Sequence, residues 1–329
     1  MFQIISLIVF SMLISTVVKA SDYNNISLVS VSTAYNEQSI EYIKQSFEKK
    51  GYQVSDKYLN QIVSDLGYVN TEKSRADLLI EALKDKDNDI LWFVRGGGGA
   101  INLLPYLKQA LPDLKKVKPK LIVGFSDVTA IHQFINKYLD WSSLHAVVAG
   151  HNQDLKRLSA KLDLVKTNER ESIPDIREIM KNGVLYENVL PLNQEAKKGT
   201  SGESIGGNLT LVASTFATEY QPDFMGKILF IEDVGLSYRQ LDRSLHQLLY
   251  MGSLKHVNGI VFGQFYPKNP LDSERLIYKK TIENFAKQFY KPVYYFPFFG
   301  HGYINKPILL NSHYNIKCDG EEFCTLSPQ

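Results

Sequence analysis

The sequence predicts an α/β fold built around a mostly parallel sheet. Two continuous apolar runs, at residues 90–94 and 121–123, are typical of strands that are buried on both faces. Behind the second run, Val128, Ile131 and Ile135 recur at helical spacing, which indicates a helix with one apolar face. Because strands that alternate with helices are characteristic of parallel sheets, an α/β sandwich is expected here.

Similar patterns define the other elements of the chain. Residues 26–31 alternate and predict the first strand, and residues 36–50 predict an amphipathic helix that ends at Gly51. The remaining predicted elements are a helix at 74–84, strands at 228–231 and 259–263, and a helix at 241–250.

The length of the chain, 329 residues, predicts two domains of roughly 100–200 residues each. The patterns weaken and Lys, Glu and Asn dominate before residue 200, so this stretch is predicted to connect the domains. The net charge of +2 gives no electrostatic basis for a nucleic-acid partner. The predicted divisions are a signal peptide (1–20), an N-terminal α/β domain (21–165), a connection (166–200) and a C-terminal mixed α/β domain (201–329).

The N-terminus resembles a signal peptide. Residues 4–18 are almost entirely apolar, and this run is shorter than the ~20 residues of a spanning helix. Val18 and Ala20 are small enough for the −3 and −1 positions of a cleavage site. The prediction is therefore cleavage after Ala20 and a periplasmic or secreted protein. The alternative is a retained membrane anchor.

The two cysteines, Cys318 and Cys324, lie close together near the C-terminus. In an exported protein such a pair is expected to close a small disulfide loop, and the alternative is two free thiols. The sequence contains no zinc-type spacing of Cys and His, so no metal site is predicted.

Two segments suggest nucleophilic catalysis. Ser126 lies between a buried strand and a helix, where a sharp turn exposes a hydroxyl beside the first helix amides. The alternative is an ordinary N-cap, since serine is common at helix starts. The glycine run 96–99 follows the other buried strand and allows close approach to a ligand. Its alternatives are a tight turn or a phosphate cradle, although no Gly-Lys-Ser/Thr follows.

Glutamate and histidine complete the set of candidate catalytic residues. Glu232 and Asp233 end a predicted strand, and only one of two adjacent strand side chains can face a site. His301 lies between two glycines, where a packed core histidine is not expected and a surface histidine is the alternative. Ser, Glu and His are the nucleophile, orienting acid and base of a hydrolytic triad. Composition alone does not bring them together.

A series of short motifs lies between Gly67 and His301. They are GY at 67–68, RADL at 75–78, RGGGGA at 95–100, LLPYL at 103–107, GFSDVTAIH at 124–132, GGNLTL at 206–211, GKILFIEDVG at 226–235, YRQLDR at 238–243 and GH at 300–301. In order and spacing this series resembles the LD-carboxypeptidase (muramoyltetrapeptide carboxypeptidase) family of serine peptidases. That family also includes the microcin C immunity-type peptidases.

The resemblance implies a role for each candidate. Ser126 is the nucleophile, Glu232 orients the base, and His301 is the base. The amide of Asp127 and one in the Gly97–Gly98 region form the oxyanion hole. The resemblance further implies an active site in the groove between two domains, no metal or other cofactor, and often a homodimer.

The implied reaction is hydrolysis of the L,D-peptide bond before the terminal D-Ala of a peptidoglycan tetrapeptide, so the expected partner is a muropeptide or a stem peptide. Arg239 and Arg243 share a helix face if residue 238 onward is helical, and one is predicted to bind a substrate carboxylate. A structural pair is the alternative for these two arginines. Asn208, in the GGNLTL motif, is also predicted to bind substrate.

The chain departs from the family pattern at Gly98, at Leu236 and at residues 308–311, which affects loop shape and substrate fit rather than the triad. Two other functions are alternatives. One is a microcin C immunity-type peptidase that cleaves peptidyl- or aminoacyl-nucleotides, and the other is a muropeptide-binding protein without catalysis.

Overall fold

The computed structural model describes residues 23–151, 173–266, 271–302, 304–320 and 322–329. The predicted signal peptide, 1–20, and its cleavage site lie outside the described residues. The described strands form two structures, a six-stranded sheet and a closed barrel. Within the described ranges, no helix is long and apolar enough to cross a membrane.

The six-stranded sheet confirms the predicted parallel α/β arrangement. Its strand order is β11-β5-β4-β3-β1-β2, and all neighbours run parallel except β11, which is antiparallel to β5. The strands are β1 (Asn25–Val29), β2 (Gln53–Tyr58), β3 (Ile90–Phe93), β4 (Leu121–Gly124), β5 (Ser143–His145) and β11 (Ile308–Leu310). The flanking helices are α1 (Ile40–Glu48), α2 (Glu72–Lys84), α3 (Leu104–Leu114) and α4 (Thr129–Leu139).

Both faces of this sheet are covered, which explains the continuous apolar runs. Leu91 and Phe93 point to one face and pack in a core with residues of α2, α3 and α4. Ile90 and Trp92 point to the other face, where the core continues through α1 into the barrel. Every residue of β3 and β4 is therefore buried.

The C-terminal part of the chain is built on a closed barrel of strand order β10-β6-β13-β12-β7-β8-β9. The segment β7-β8-β9-β10 is parallel, and the other neighbours are antiparallel. The strands are β6 (Tyr186–Pro191), β7 (Thr200–Asn208), β8 (Lys227–Glu232), β9 (Gly259–Phe262), β10 (Val293–Tyr295), β12 (His313–Lys317) and β13 (Cys324–Pro328). The helices are α5 (Ile176–Asn182), α6 (Leu209–Ser214), α7 (Tyr238–Tyr250) and α8 (Asp272–Gln288).

The stretch predicted to connect the two domains, 166–200, contains regular secondary structure. Its described part, from residue 173, includes α5 and β6, and β6 pairs with β10 and β13 in the barrel wall. Only Val189 of β6 is buried, so the strand lacks the apolar alternation that signals a strand in the sequence. Conversely, β11 belongs to the C-terminal part of the chain but pairs with β5 and so extends the N-terminal sheet.

The disulfide between Cys318 and Cys324 is present. It closes the loop between β12 and β13, two antiparallel strands of the barrel. Cys324 is buried in the core that the barrel shares with the sheet, so the covalent link is anchored at one end.

Candidate active site

Ser126 occupies a strained turn at the end of a parallel strand. The short 3-10 turn Ser126–Val128 connects β4 to α4, and Ser126 has a φ of 64°. A left-handed conformation is unusual for a residue with a side chain and is found mainly where the fold enforces it. Gly96 of the glycine run faces this turn, since a Cβ placed there would lie 3.0 Å from Ser126 Cβ. The absence of a side chain at Gly96 therefore makes room for the serine.

The carboxylate of Asp127 holds the glycine run against the serine turn. It is buried and accepts hydrogen bonds from the Ser32 hydroxyl at 2.6 Å and the Ala100 amide at 2.9 Å. Burial raises the pKa of Asp127, while these hydrogen bonds and the nearby Arg75 act in the opposite direction. Because Ala100 directly follows the glycine run, the two loops are fixed relative to each other.

Glu232 and His301 form a buried hydrogen-bonded pair. Glu232 is the last residue of β8, and its Oε2 lies 2.6 Å from Nδ1 of His301. The glutamate is fully buried, and the histidine side chain is 10% exposed. Burial by itself raises the pKa of Glu232, but the attraction of His301, the hydrogen bond from His301 and the nearby His145 lower that pKa to about 2. Glu232 is therefore ionised at neutral pH.

The backbone at Gly300 makes this pairing possible. Gly300 has a φ of +108°, and a Cβ there would lie 2.6 Å from Oε2 of Glu232. The adjacent carboxylate, Asp233, points elsewhere and accepts hydrogen bonds from the Thr210 amide at 2.9 Å and the Thr210 hydroxyl at 2.7 Å. Of the two neighbouring acids, Glu232 is thus the one that bonds the histidine.

The serine turn and the Glu–His pair meet between the sheet and the barrel. The ring of Phe125, the residue before Ser126, packs 4.7 Å from the ring of His301. The structure thereby brings the turn that carries Ser126 next to the Glu232–His301 pair, whose two members are 69 positions apart in sequence. This arrangement provides a hydroxyl, an imidazole and an ionised carboxylate, the groups that acyl transfer requires.

The domain families and relatives of this chain agree with that chemistry. Residues 26–146 match the N-terminal domain of LD-carboxypeptidases, and residues 201–316 match the C-terminal domain. A Rickettsia conorii protein named "Putative carboxypeptidase" is 34% identical over 254 residues, which cover 75% of this chain and 74% of the relative. This chain belongs to the LD-carboxypeptidase family.

Other LD-carboxypeptidase relatives extend the comparison. The murein tetrapeptide carboxypeptidase of Pseudomonas aeruginosa is 28% identical over 241 residues, covering 72% of this chain and 75% of that protein. The crystal structure of muramoyltetrapeptide carboxypeptidase from Oxalobacter formigenes superposes with a TM-score of 0.75 at 21% identity, covering 93% and 98% of the two chains. That structure shows that the LD-carboxypeptidase fold is shared over nearly the whole chain.

The predicted substrate-binding residues of this LD-carboxypeptidase lie in different settings. Asn208 is buried, and its side chain caps α6 by accepting from the Leu211 amide at 3.3 Å. Arg239 is exposed and stacks 4.7 Å above the ring of Tyr238, its neighbour in α7. Arg243 lines an open groove along α7. The contact of Asn208 is therefore a structural one. The two arginines lie along α7, where Arg239 stacks on its neighbour and Arg243 borders the groove.

The sequence reasoning missed His145. It is buried at the end of β5, and its Nε2 lies 3.5 Å from Oε1 of Glu232. In the sheet register His145 is opposite Gly124, which precedes the serine turn. The available signal was its position after a short strand, because the carboxyl ends of neighbouring parallel strands share one edge, where ligands bind in open α/β sheets.

Proposed function

We propose that this chain is a serine-type carboxypeptidase that hydrolyses the L,D-peptide bond before the terminal D-Ala of peptidoglycan tetrapeptides. The observation that carries the proposal is the Glu232–His301 hydrogen bond of 2.6 Å, positioned beside the strained Ser126 turn. A buried acid that orients a histidine beside a turn with a nucleophilic serine is the arrangement of serine hydrolases. Family membership supplies the reaction class.

The geometry supports a catalytic role for each of these residues. The bond between His301 Nδ1 and Glu232 fixes the ring so that Nε2 acts as the base. His301 removes the proton of Ser126, and Oγ attacks the carbonyl carbon before the D-Ala. His301 then protonates the leaving amine, and water hydrolyses the acyl-enzyme with His301 again as base. Ionised Glu232 stabilises the imidazolium that forms at each step.

Backbone amides of two loops are proposed to bind the oxyanion. The amide of Asp127 follows the nucleophile, and the second donor comes from Gly97 or Gly98. The hydrogen bond of 2.9 Å between the Asp127 carboxylate and the Ala100 amide supports this role, because it keeps the two loops in register. Oxyanion stabilisation depends on such preorganisation.

The proposed substrate is a tetrapeptide muropeptide or stem peptide. The Pseudomonas aeruginosa relative is named a murein tetrapeptide carboxypeptidase, and the chain covers 75% of its length. Release of the terminal D-Ala leaves a tripeptide, so a tripeptide muropeptide should be a product and not a substrate.

The test is hydrolysis of purified tetrapeptide and tripeptide muropeptides by wild type and Ser126→Ala. The wild type should release D-Ala from the tetrapeptide alone, and EDTA should leave the rate unchanged because the proposed steps use only protein groups. Ser126→Ala should lower kcat by roughly 10⁴–10⁶ without unfolding the protein.

Two results would contradict this proposal: wild-type turnover by the alanine variant, or cleavage of an aminoacyl-nucleotide in preference to the tetrapeptide. A fluorophosphonate probe provides a separate check, since a binding protein without catalysis would not be labelled at Ser126.

We further propose that the protein is exported, loses residues 1–20 and acts as a homodimer in the periplasm or outside the cell. The Cys318–Cys324 disulfide supports export, because such bonds persist in oxidising compartments. N-terminal sequencing of protein from its host should read Ser-Asp-Tyr, and light scattering should give twice the chain mass. A chain beginning at Met1, or a monomeric mass, would contradict the corresponding part of the proposal.

A further inference from the structure

A second histidine faces the glutamate of the proposed triad. His145 is 1% exposed, and its ring is enclosed by Phe125 and Phe299, whose ring centroids lie 5.9 Å and 5.7 Å away. Phe125 precedes the proposed nucleophile, and Phe299 precedes the Gly300-His301 loop. The His145 ring therefore contacts the neighbours of two proposed catalytic residues.

The carboxylate of Glu232 divides its two oxygens between two histidines. Oε2 bonds His301 at 2.6 Å, while Oε1 lies 3.5 Å from Nε2 of His145. Apart from that contact, Oε1 and both ring nitrogens of His145 have no hydrogen-bond partner among the described residues. An ionised oxygen in a fully buried position is costly without a donor, and His145 Nε2 is the donor within reach.

We propose that His145 is a positioning residue for the reaction, whose Nε2–H is directed at Oε1 of Glu232. This contact holds the carboxylate in the plane that His301 requires and keeps it ionised while His301 gains and loses its proton. The proposal rests on the serine-peptidase function above and adds a residue that acts through Glu232 rather than on the substrate.

The titratable groups around His145 come from three elements. Glu232 faces it from β8, His301 lies on the far side of that carboxylate, and His132 approaches from α4. Nε2 of His132 lies 2.9 Å from the Gly124 carbonyl, and burial lowers the pKa of His132 to about 3. His132 is thus a neutral neighbour, and Glu232 is the charge that His145 meets.

The first test measures the pH dependence of kcat/KM for tetrapeptide hydrolysis by His145→Phe and His145→Gln. The phenylalanine variant keeps an aromatic ring but removes the donor. The ionised carboxylate of Glu232 is then destabilised, and most of all when His301 is neutral and carries no compensating charge. The apparent pKa of the Glu232–His301 pair should then rise. The fall of kcat/KM at low pH, the acid limb of the profile, should therefore move up by about one pH unit. Its kcat should fall about tenfold or more with KM unchanged. Glutamine offers an amide donor and should restore the wild-type limb.

His132→Phe is the matched control, since it removes another buried histidine that contacts a backbone carbonyl rather than Glu232. It should lower stability and leave the acid limb in place. A wild-type acid limb in His145→Phe, or a glutamine variant with the same shift as the phenylalanine variant, would overturn the proposal.

A second measurement needs neither a variant nor activity. Nitrogen chemical shifts of ¹⁵N-histidine-labelled wild type should show His145 as the Nε2–H tautomer, and an Nδ1–H tautomer would overturn the proposal even if the variants fail to fold. If the wild type hydrolyses no muropeptide, the proposed function fails, while the tautomer still decides whether His145 donates to Glu232.

Discussion

Ser126 and Gly96 show how one turn prepares a nucleophile. The φ of 64° at Ser126 is a strained conformation that costs roughly 1–3 kcal/mol. The fold keeps it because β4, α4 and the glycine run surround the turn. The serine itself carries no side-chain capping bond for α4, so the N-cap alternative does not describe its contacts.

The lowered pKa of Glu232 should make the free energy of unfolding depend on pH. The pKa of Glu232 in the folded protein is about 2, compared with an ordinary value of 4.5. The folded state therefore releases this proton more readily than the unfolded state. The resulting stabilisation is complete above pH 4.5 and is lost as the pH falls towards 2.

Glu232→Gln should remove this contribution, so the free energy of unfolding should fall less steeply below pH 4.5 than in the wild type. Urea unfolding between pH 7 and the acid limit of folding measures the two slopes. Glu81→Gln, on an exposed part of α2, is the control and should retain the wild-type slope. Parallel curves for wild type and Glu232→Gln would show that Glu232 does not carry the shifted pKa.

At the scale of elements, a short turn, the end of a strand and a loop hold Ser126, Glu232 and His301 in position, and none of the three lies in an α-helix. The loop after β10 approaches β8 so closely at Gly300 that a Cβ would lie 2.6 Å from the Glu232 carboxylate. Helix α7 shows how local signals set an element's start. Ser237 and Gln240 form a capping box, so α7 begins at Tyr238, before the predicted start at residue 241.

Gly300→Ala should displace His301 from Glu232. A shift of about 1 Å in such a pair is expected to lower kcat about a hundredfold. Gly226→Ala is the matched control, because Gly226 also has a positive φ, +71°, but a Cβ there would meet nothing within 4 Å. Both variants should lose some thermal stability from backbone strain, and only Gly300→Ala should lose activity. Equal activities would mean that the loop adapts without moving the histidine.

At the scale of the whole molecule, the sheet and the barrel are joined in several ways. One hydrophobic core runs from Trp92 of the sheet to Phe230 and Tyr294 of the barrel. Strand β11 pairs with β5 and crosses from one unit to the other. The proposed triad takes its serine from the sheet and its other members from the barrel. The packing of the sheet against the barrel therefore sets the distances between the three residues.

The Cys318–Cys324 bond should contribute stability without affecting catalysis. The two residues are 6 apart in sequence, and closing so small a ring is expected to stabilise the fold by about 2 kcal/mol. The double variant Cys318→Ala, Cys324→Ala should lose that amount in urea unfolding while kcat and KM stay unchanged. Reduced wild type is the control and should lose a similar amount. A double variant as stable as the wild type would contradict this contribution.

The sequence by itself determined the local features of this protein. Continuous apolar runs predicted β3 and β4, because residues buried on both faces of a sheet must be apolar. Helical spacing predicted α4, and ordered motifs predicted the family to which the chain belongs. These signals are readable because each depends on neighbours in the chain.

Only the tertiary structure decided which distant segments meet. Strand β6 completes the barrel, although its mostly unburied residues show no strand pattern in the sequence. Strand β11 lies in the N-terminal sheet. The tertiary structure also brought His145 to within 3.5 Å of Glu232. The physical reason is that periodicity reports how deeply a residue is buried and not what it is buried against. The partner of a buried charge is set by the packing of whole elements.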